Sequence, residues 1–199
     1  MPAEAVVERL FFALWPDDVS RTALEGAVAQ LRQRLHPTGR WVRAQRYHLT
    51  LHFLGEYPVL PPALVQRALE AAASVRAAPF VLCIDQAGGF RNPRSIPWWL
   101  GPRHTPPELK TLWRALREAL QAQSVPYDTR LRLTPHVTVL YDAAQVLAPT
   151  PLPEVRWEVD RFALIRSRLG ADAGYTVLGS WPLRPPTDRA VIQRDLWDT

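Results

Sequence analysis

Apolar residues recur along this chain with two spacings, one typical of strands and one of helices. Residues 9–15, RLFFALW, are almost all apolar and predict a buried strand. Asp17 is a typical helix-start residue, and 17–35 predicts an amphipathic helix. Residues 48–54, HLTLHFL, alternate and predict a half-buried strand. The helix stripe is Val19, Ala23, Ala27, Leu31 and Leu35, and the apolar strand face is Leu49, Leu51 and Phe53.

The rest of the chain repeats this succession of strands and helices. Gly39 breaks the chain before a short strand predicted at 40–43. Prolines at 61–62 and 106–107 each open an amphipathic segment. We predict, in chain order, a helix through Leu64, Leu69 and Val75, a strand at 80–85, a loop at 88–95, a strand at 96–100, a helix carrying Leu109, Leu112, Trp113, Leu116 and Leu120, a strand at 155–165 and a strand at 174–181.

The two halves of this pattern coincide when the sequence is aligned with itself so that His48 falls on His136. The first predicted strand and helix then fall on the second strand-helix pair, and RYHLTL falls on TPHVTV. Thr50 meets Thr138, so both halves carry the motif His-x-Thr. The duplicated strand-helix-strand unit predicts an α+β fold with two similar lobes, whose antiparallel sheets face a central cleft.

The paired motif suggests acid–base chemistry on a phosphate. Residues i and i+2 of a strand share a face, so each motif aims an imidazole and a hydroxyl in one direction. One histidine can take a proton from water while the other protonates the leaving oxygen. Threonine hydroxyls can donate hydrogen bonds to phosphate oxygens. We therefore predict His48 and His136 as catalytic residues, Thr50 and Thr138 as phosphate-binding residues, and neither a metal ion nor another cofactor.

Composition limits the classes of protein to which the chain can belong. Hydrophobic residues make up 47% of the 199 residues, enough for the core of a folded globule. The single cysteine, Cys83, permits neither a disulfide framework nor a cysteine metal site, and it favours a reducing, cytoplasmic location. No apolar run approaches the length of a membrane helix, so neither membrane insertion nor secretion is expected.

The charge of the chain favours an anionic partner. The net charge is +5 and the sequence pI is about 10.0. Lys110 is the only lysine among 24 basic residues, and the others are arginines. Arginine suits phosphates because its planar guanidinium group can donate two parallel hydrogen bonds to one phosphate. The arginines are scattered rather than clustered, however, and a genome that uses arginine in place of lysine would give the same composition.

HLTLHFLGE and PHVTV, the segments that carry the motif, resemble the two signatures of the 2H phosphoesterase superfamily. The similarity is to its RNA 2′,3′-cyclic phosphodiesterases, also called 2′-5′ RNA ligases. It extends to RLFFALWP, WVRAQRYHLTLHFLGE, FRNPRSIPWWLG and FALIRSRLGADAGYTVLGSWPL, and so covers residues 9–183. We accordingly expect a single bilobal domain over 1–183 and a C-terminal tail over 184–199.

The resemblance implies a monomeric hydrolase that opens 2′,3′-cyclic phosphate ends of RNA or oligonucleotides to 2′-phosphates, with weak reverse joining through a 2′-5′ linkage. The family pattern makes His48 the acid that protonates the departing 3′ oxygen and His136 the base that acts on water. The residues alone do not assign these roles, because the pair is symmetric in kind. Many relatives carry an arginine five residues after the second histidine, where this chain has Tyr141. We therefore expect the contacts with the phosphate or the nucleotide to differ from theirs.

Two other functions fit the same motifs. A different cyclic nucleotide, such as ADP-ribose 1″,2″-cyclic phosphate, could enter the same cleft. A noncatalytic RNA-binding module could keep the fold. Binding alone would not need two titratable groups that face one site, so the paired histidines argue against the second alternative.

A few residues outside the motifs are weaker candidates for contacts with the substrate. Phe90 could stack on a terminal base with Arg91 near a phosphate, although a core or loop-anchoring role fits Phe90 equally well. Tyr175 could belong to the scaffold or contact the ligand. Arg130 and Arg132, just before the second motif, could line the path of the RNA or be solvated.

The remaining histidines are predicted to be structural or superficial. We predict that His52 shares the face of His48, but four strand residues separate them by about 13 Å, too far for two ligands of one zinc. We predict that His52 packs or makes a hydrogen bond at the rim of the site. His36 and His104 adjoin a turn and a helix start, and we predict both at the surface.

Overall fold

The computed structural model describes residues 7–169 and 174–185, so most of the tail expected over 184–199 lies outside the described residues. Within them the chain forms nine β-strands, three α-helices and a 3-10 turn at Ala44–Arg46. The strands are β1 (Val7–Leu14), β2 (Arg40–Trp41), β3 (Leu49–Tyr57), β4 (Phe80–Gly89), β5 (Trp98–Gly101), β6 (Val137–Tyr141), β7 (Thr150–Val159), β8 (Arg161–Leu169) and β9 (Gly174–Pro182). The helices are α1 (Asp18–Leu35), α2 (Pro62–Ser74) and α3 (Pro107–Ala122).

The helices begin close to where the sequence predicts, and their first residues explain why. Asp17 caps α1 by accepting the backbone N–H of Ser20 at 2.7 Å. Both α2 and α3 carry proline in the first turn, where its missing N–H would have no partner anyway. Among the described residues, no helix is both long and apolar enough to cross a membrane. The leucines predicted to face the core from α3 are fully buried: Leu109, Leu112, Leu116 and Leu120.

The buried face of α1 differs from the predicted stripe. Val19 is 79% exposed and Leu35 is 40% exposed. Each step of four residues overshoots a full turn by about 40°, so a stripe built from such steps winds around the helix. The face that packs against β7 combines steps of three and four and consists of Ser20, Leu24, Ala27, Val28 and Leu31.

The strands form one antiparallel sheet made of two similar halves. The order is β7-β4-β5-β6-β3-β1-β8-β9, and β2 pairs with Leu140 and Tyr141 of β6. The halves meet between β6 and β3 through a single residue pair, Leu49 opposite Val137. The pair β1-β3 in one half corresponds to β5-β6 in the other, as the duplicated pattern predicts. The expected α+β fold with two similar lobes is confirmed.

The sheet curves because strands far apart in its order are joined by short connections. Asp160 alone separates β7, at one edge, from β8, near the other edge. A second closure is the antiparallel bridge between Ala77, which precedes β4, and Arg184, which follows β9. The predicted strand region 155–165 therefore contains parts of two strands that belong to different halves. The curvature leaves a cleft between the halves, with both motifs at its centre.

A β-bulge decides which residues of the first motif strand face the cleft. The register between β1 and β3 shifts by one residue at Leu51, which is left without an opposite partner. Beyond the bulge the side chains change faces, so Phe53 lines the cleft and His52 is only 3% exposed. The predictions that His52 shares a face with His48 and that Phe53 belongs to the core face are wrong for this reason.

His52 has the structural role predicted for it, although in the core rather than at the rim. Its Nε2 lies 2.9 Å from the carbonyl oxygen of Trp113, and the two rings stack with centroids 4.8 Å apart. The Trp113 indole N–H donates in return to the carbonyl of Leu51 at 2.9 Å. This reciprocal pair joins α3 to β3. His36 and His104 are exposed, as predicted.

Candidate active site

The cleft between the halves contains a cavity of about 920 Å³ beside the two motifs. His48, Thr50 and Thr138 contribute to its wall, together with Tyr141 and Tyr175. Four arginines and a single carboxylate also line it: Arg9, Arg40, Arg43, Arg46 and Glu56. The cavity therefore joins titratable and hydroxyl groups to a strongly basic surface.

Antiparallel pairing arranges the four motif residues as a square. The residues between each histidine and its threonine are opposite partners in β3 and β6, and both are fully buried, so the motif residues point to the other face. If the antiparallel register of Leu49 and Val137 is extended by one residue in both directions, His48 lies opposite Thr138 and Thr50 lies opposite His136. Each histidine thus lies beside the threonine of the other motif, and the two imidazoles occupy one diagonal.

Both imidazoles are oriented by the same backbone contact. The Nδ1 of His48 donates to the carbonyl of Arg46 at 2.7 Å, and that of His136 to the carbonyl of Thr134 at 2.6 Å. A carbonyl can only accept, so the neutral ring carries its hydrogen on Nδ1 and a lone pair on Nε2. Neither Nε2 has a hydrogen-bond partner among the described residues, which leaves both able to take or give a proton.

Three aromatic rings surround His48. Their centroids lie 5.1 Å away for Phe11, 6.0 Å for the stacked Trp15 and 5.4 Å for Tyr175. Desolvation by this packing lowers the pKa of His48 to about 4, against the raising effect of the hydrogen bond to Arg46. The nearby His136 lowers the pKa of His48 further, because two positive imidazoles would repel each other.

A smaller aromatic group packs on His136. The Phe90 ring meets it edge-on at 4.9 Å and stacks at 5.4 Å on Trp99, which lies opposite Thr138 in the sheet. Desolvation also lowers the pKa of His136, opposed by the hydrogen bond to Thr134. His136 is not among the residues that line this cavity, and the Phe90 ring packs against it.

Aromatic rings also support the basic wall of the cavity. The Arg46 guanidinium lies 4.7 Å from the ring centroid of Tyr175, and that of Arg40 lies 5.1 Å from Tyr141. Desolvation raises the pKa of Tyr141, which favours its neutral hydroxyl. No group of three or more histidine, cysteine, aspartate or glutamate side chains in residues 7–169 and 174–185 is arranged to hold a metal ion.

The predicted substrate contacts divide into two groups. Tyr141 and Tyr175 line the cavity and Phe90 packs on His136. Arg91 is exposed in the loop after β4 and does not line the cavity. Arg130 binds Asp128 through its backbone N–H at 3.0 Å and its Nε at 3.1 Å, so it closes a turn instead of lining the cleft.

Sequence reasoning missed most of the residues that support His48. Phe11 falls on Trp99, and Arg46 on Thr134, when the sequence is shifted by the spacing of the two histidines. The same shift that exposed the motifs would therefore have marked both positions. Trp15 gave no such signal, since nothing local distinguishes it from other apolar residues of the first strand.

Comparison with known proteins gives one family. Residues 16–171 match the model of the 2′-5′ RNA ligase superfamily. An RNA 2′,3′-cyclic phosphodiesterase of Escherichia coli K12 is 33% identical over an alignment of 181 positions that covers 88% of this chain and 97% of the relative. An RNA 2′,3′-cyclic phosphodiesterase of Thermus thermophilus is 33% identical over an alignment of 202 positions that covers 93% of this chain and 95% of the relative.

A solved structure shares the architecture. The crystal structure of E. coli LigT complexed with 3′-AMP superposes with a TM-score of 0.71 at 29% sequence identity. The match covers 89% of this chain and 98% of that one. The similarity thus extends over both halves of the sheet.

Proposed function

This chain belongs to the 2′-5′ RNA ligase superfamily, and from that premise we propose that it hydrolyses 2′,3′-cyclic phosphate ends of RNA to 2′-phosphates. The observation that carries the proposal is the diagonal pair of imidazoles, each with a free Nε2 and each beside a threonine hydroxyl. The names of the E. coli and Thermus relatives support the choice of substrate.

The square of side chains suits an in-line displacement at phosphorus. His136 Nε2 takes a proton from water, and the water oxygen forms a bond to phosphorus. The bond from phosphorus to the 3′ oxygen breaks as protonated His48 gives its Nε2 proton to that oxygen. Thr50 and Thr138 donate hydrogen bonds to the non-bridging oxygens, where the transition state gains charge. The product keeps its phosphate on the 2′ oxygen.

The lowered pKa values give the substrate itself a part in this mechanism. In the free protein at neutral pH both rings are neutral, because desolvation lowers both pKa values. A bound phosphodiester anion favours the protonated form of a neighbouring imidazole. The proposed roles therefore require the bound phosphodiester to favour the protonated form of His48, while His136 stays neutral and available as the base.

The same proposal extends to the remaining properties of the enzyme. The two-histidine mechanism works without a metal ion, and its reversal would join ends weakly through a 2′-5′ linkage. The working unit is a monomer with one bilobal domain over 1–183.

A second candidate substrate is ADP-ribose 1″,2″-cyclic phosphate. The observation in its favour is the basic wall of the cavity, since a pyrophosphate would also bind there. The third candidate, an RNA-binding module without activity, gives no reason for two oriented imidazoles with free Nε2 atoms.

The test is an assay of purified protein in excess EDTA. The substrates are an oligonucleotide with a 2′,3′-cyclic phosphate end and ADP-ribose 1″,2″-cyclic phosphate. We expect the oligonucleotide to be opened at an undiminished rate, with the phosphate mapped to the 2′ position. A 3′-phosphate product, a rate restored only by added metal, or a preference for the ADP-ribose compound would overturn the proposal.

A further inference from the structure

Three arginines form a continuous basic strip beside the first motif. Arg40 lies on β2, Arg43 follows that strand and Arg46 ends the 3-10 turn, and all three line the cavity. We call them the arginine strip. The backbone brings the strip to β6 at Gly39, where φ is 137° and an added Cβ would lie 2.6 Å from the Tyr141 carbonyl oxygen. Only glycine allows that approach.

Much of the positive charge of the strip is uncompensated. Neither Arg43 nor Arg46 makes an ion pair or a side-chain hydrogen bond with any residue in the described part of the chain. The one carboxylate that lines the cavity, Glu56, is already bound by Arg9 at 2.6 Å. The Nε of Arg46 is buried and has no partner there either. Arg40, by contrast, lies 3.6 Å from Asp142 through its Nη2, so within the described residues the cavity guanidinium groups without an anionic partner are those of Arg43 and Arg46.

The strip lies a short, defined distance from the reacting centre. The Arg46 guanidinium and the His48 ring both lie against the Tyr175 ring, 4.7 Å and 5.4 Å from its centroid. An anion bound by Arg46 and an anion at the motifs would therefore both lie beside this ring. In an RNA end, a ribose separates the 2′,3′-cyclic phosphate from the phosphodiester on the 5′ oxygen of the same nucleotide.

We propose that the arginine strip binds the phosphodiester on the 5′ side of the terminal nucleotide, so that the substrate is the end of an oligonucleotide and not a free cyclic mononucleotide. The inference rests on the proposed function and narrows its substrate class. Arg46, the least exposed of the three, is the principal contact, and Arg43 assists it from the solvent side.

The test compares three substrates: a 2′,3′-cyclic mononucleotide, a dinucleotide with a 2′,3′-cyclic end, and the same dinucleotide with a neutral methylphosphonate linkage. We expect kcat/KM to be about tenfold higher for the charged than for the neutral dinucleotide. Arg46→Gln should bring this ratio close to one, and Arg43→Gln should lower it about threefold. The backbone carbonyl of Arg46 also accepts the hydrogen bond from His48 Nδ1. Any effect of Arg46→Gln on His48 changes kcat/KM for both dinucleotides alike and therefore cancels in their ratio.

Arg114→Gln is the matched control, because Arg114 lies exposed on α3 away from the cavity and should leave the ratio unchanged. The charged dinucleotide should also lose rate more steeply with salt than the neutral one. Equal kcat/KM for the two dinucleotides would overturn the inference while leaving the proposed function intact. If none of the three substrates is opened, the proposed function itself fails.

Discussion

The two halves of the cleft are alike near the backbone and different around the rings. His48 and His136 both donate Nδ1 to the carbonyl two residues earlier and both lie opposite a threonine. Three aromatic rings enclose His48, whereas a single aromatic ring among the described residues, that of Phe90, packs on His136. The four arginines that line the cavity all precede His48 in the chain, although Arg40 lies on β2, which pairs with β6.

The difference shows which features a duplication preserves. The carbonyl and the threonine belong to the motif segment and its partner strand, so any copy of the unit brings them along. The rings around His48 come from β1, from the residue after it and from β9, and β9 has no counterpart in the repeated unit. The catalytic groups are consequently symmetric, and the surfaces that can hold a substrate are not.

Loss of either imidazole should have the largest effect. His48→Asn and His136→Asn keep a donor toward the carbonyl but remove proton transfer, so each should lower kcat/KM by about 10² to 10⁴-fold. The double variant should be little worse than either single one, because the two residues act as a unit. Steady-state rates on a cyclic-phosphate oligonucleotide measure this. An enzyme with His136→Asn within tenfold of wild type would show that the two halves are not chemically equivalent.

The threonines should come next and should be equal to each other. Thr50→Val and Thr138→Val each remove one hydrogen bond to a charged phosphate, so kcat/KM should fall by about 10 to 150-fold while the pH profile keeps its shape. Thr22→Val on α1, whose hydroxyl bonds only to the Asp18 carbonyl, is the control. Strongly unequal losses would mean that the phosphate lies nearer to one half.

A third test exploits a position where the halves differ, since His52 corresponds to the fully buried Leu140. Burial lowers the pKa of His52 in the folded state, so its contribution to stability is present above pH 6.5 and is lost as the pH falls. In the wild-type protein, a buried histidine with a lowered pKa decreases the free energy of unfolding by up to about 1.4 kcal/mol for each pH unit below 6.5. His52→Leu should therefore make the free energy of unfolding, measured with urea, depend less steeply on pH between pH 7 and 5.

His52→Gln is the companion variant, because its amide can still donate to Trp113 without titrating. His52→Gln should reduce the pH dependence of the free energy of unfolding as much as His52→Leu does, and it should lose less stability at pH 7. An unchanged slope in both variants would assign the acid sensitivity to the two cleft histidines alone.

The smallest expected effect concerns the aromatic surroundings of the two rings. NMR titration should give a pKa of about 4 for His48 and a lowered pKa for His136 in the free enzyme, so both limbs of the kcat/KM profile should lie below pH 6.5. Trp15→Leu should move only the titration of His48 toward 6.5, and Phe90→Leu only that of His136. A free-enzyme limb above pH 6.5 would contradict the desolvation of the cleft.

The sequence by itself determined most of the elements, the duplication and the four motif residues. Strand and helix periodicities are local, and an identical His-x-Thr at equivalent places in two copies needs no knowledge of the fold to be noticed. It also marked Tyr141 and Tyr175, which line the cavity, through resemblance to the family.

Only the tertiary structure decided which residues share the cleft. A one-residue bulge against β1 moved His52 into the core and Phe53 into the cavity, and no pattern within β3 reveals it. Pairing between distant strands likewise put β4 in the half built around the second motif, and β8 and β9 in the half built around the first. Register and strand exchange depend on partners far along the chain, so the arginine strip and the rings around His48 became visible only once those partners were in place.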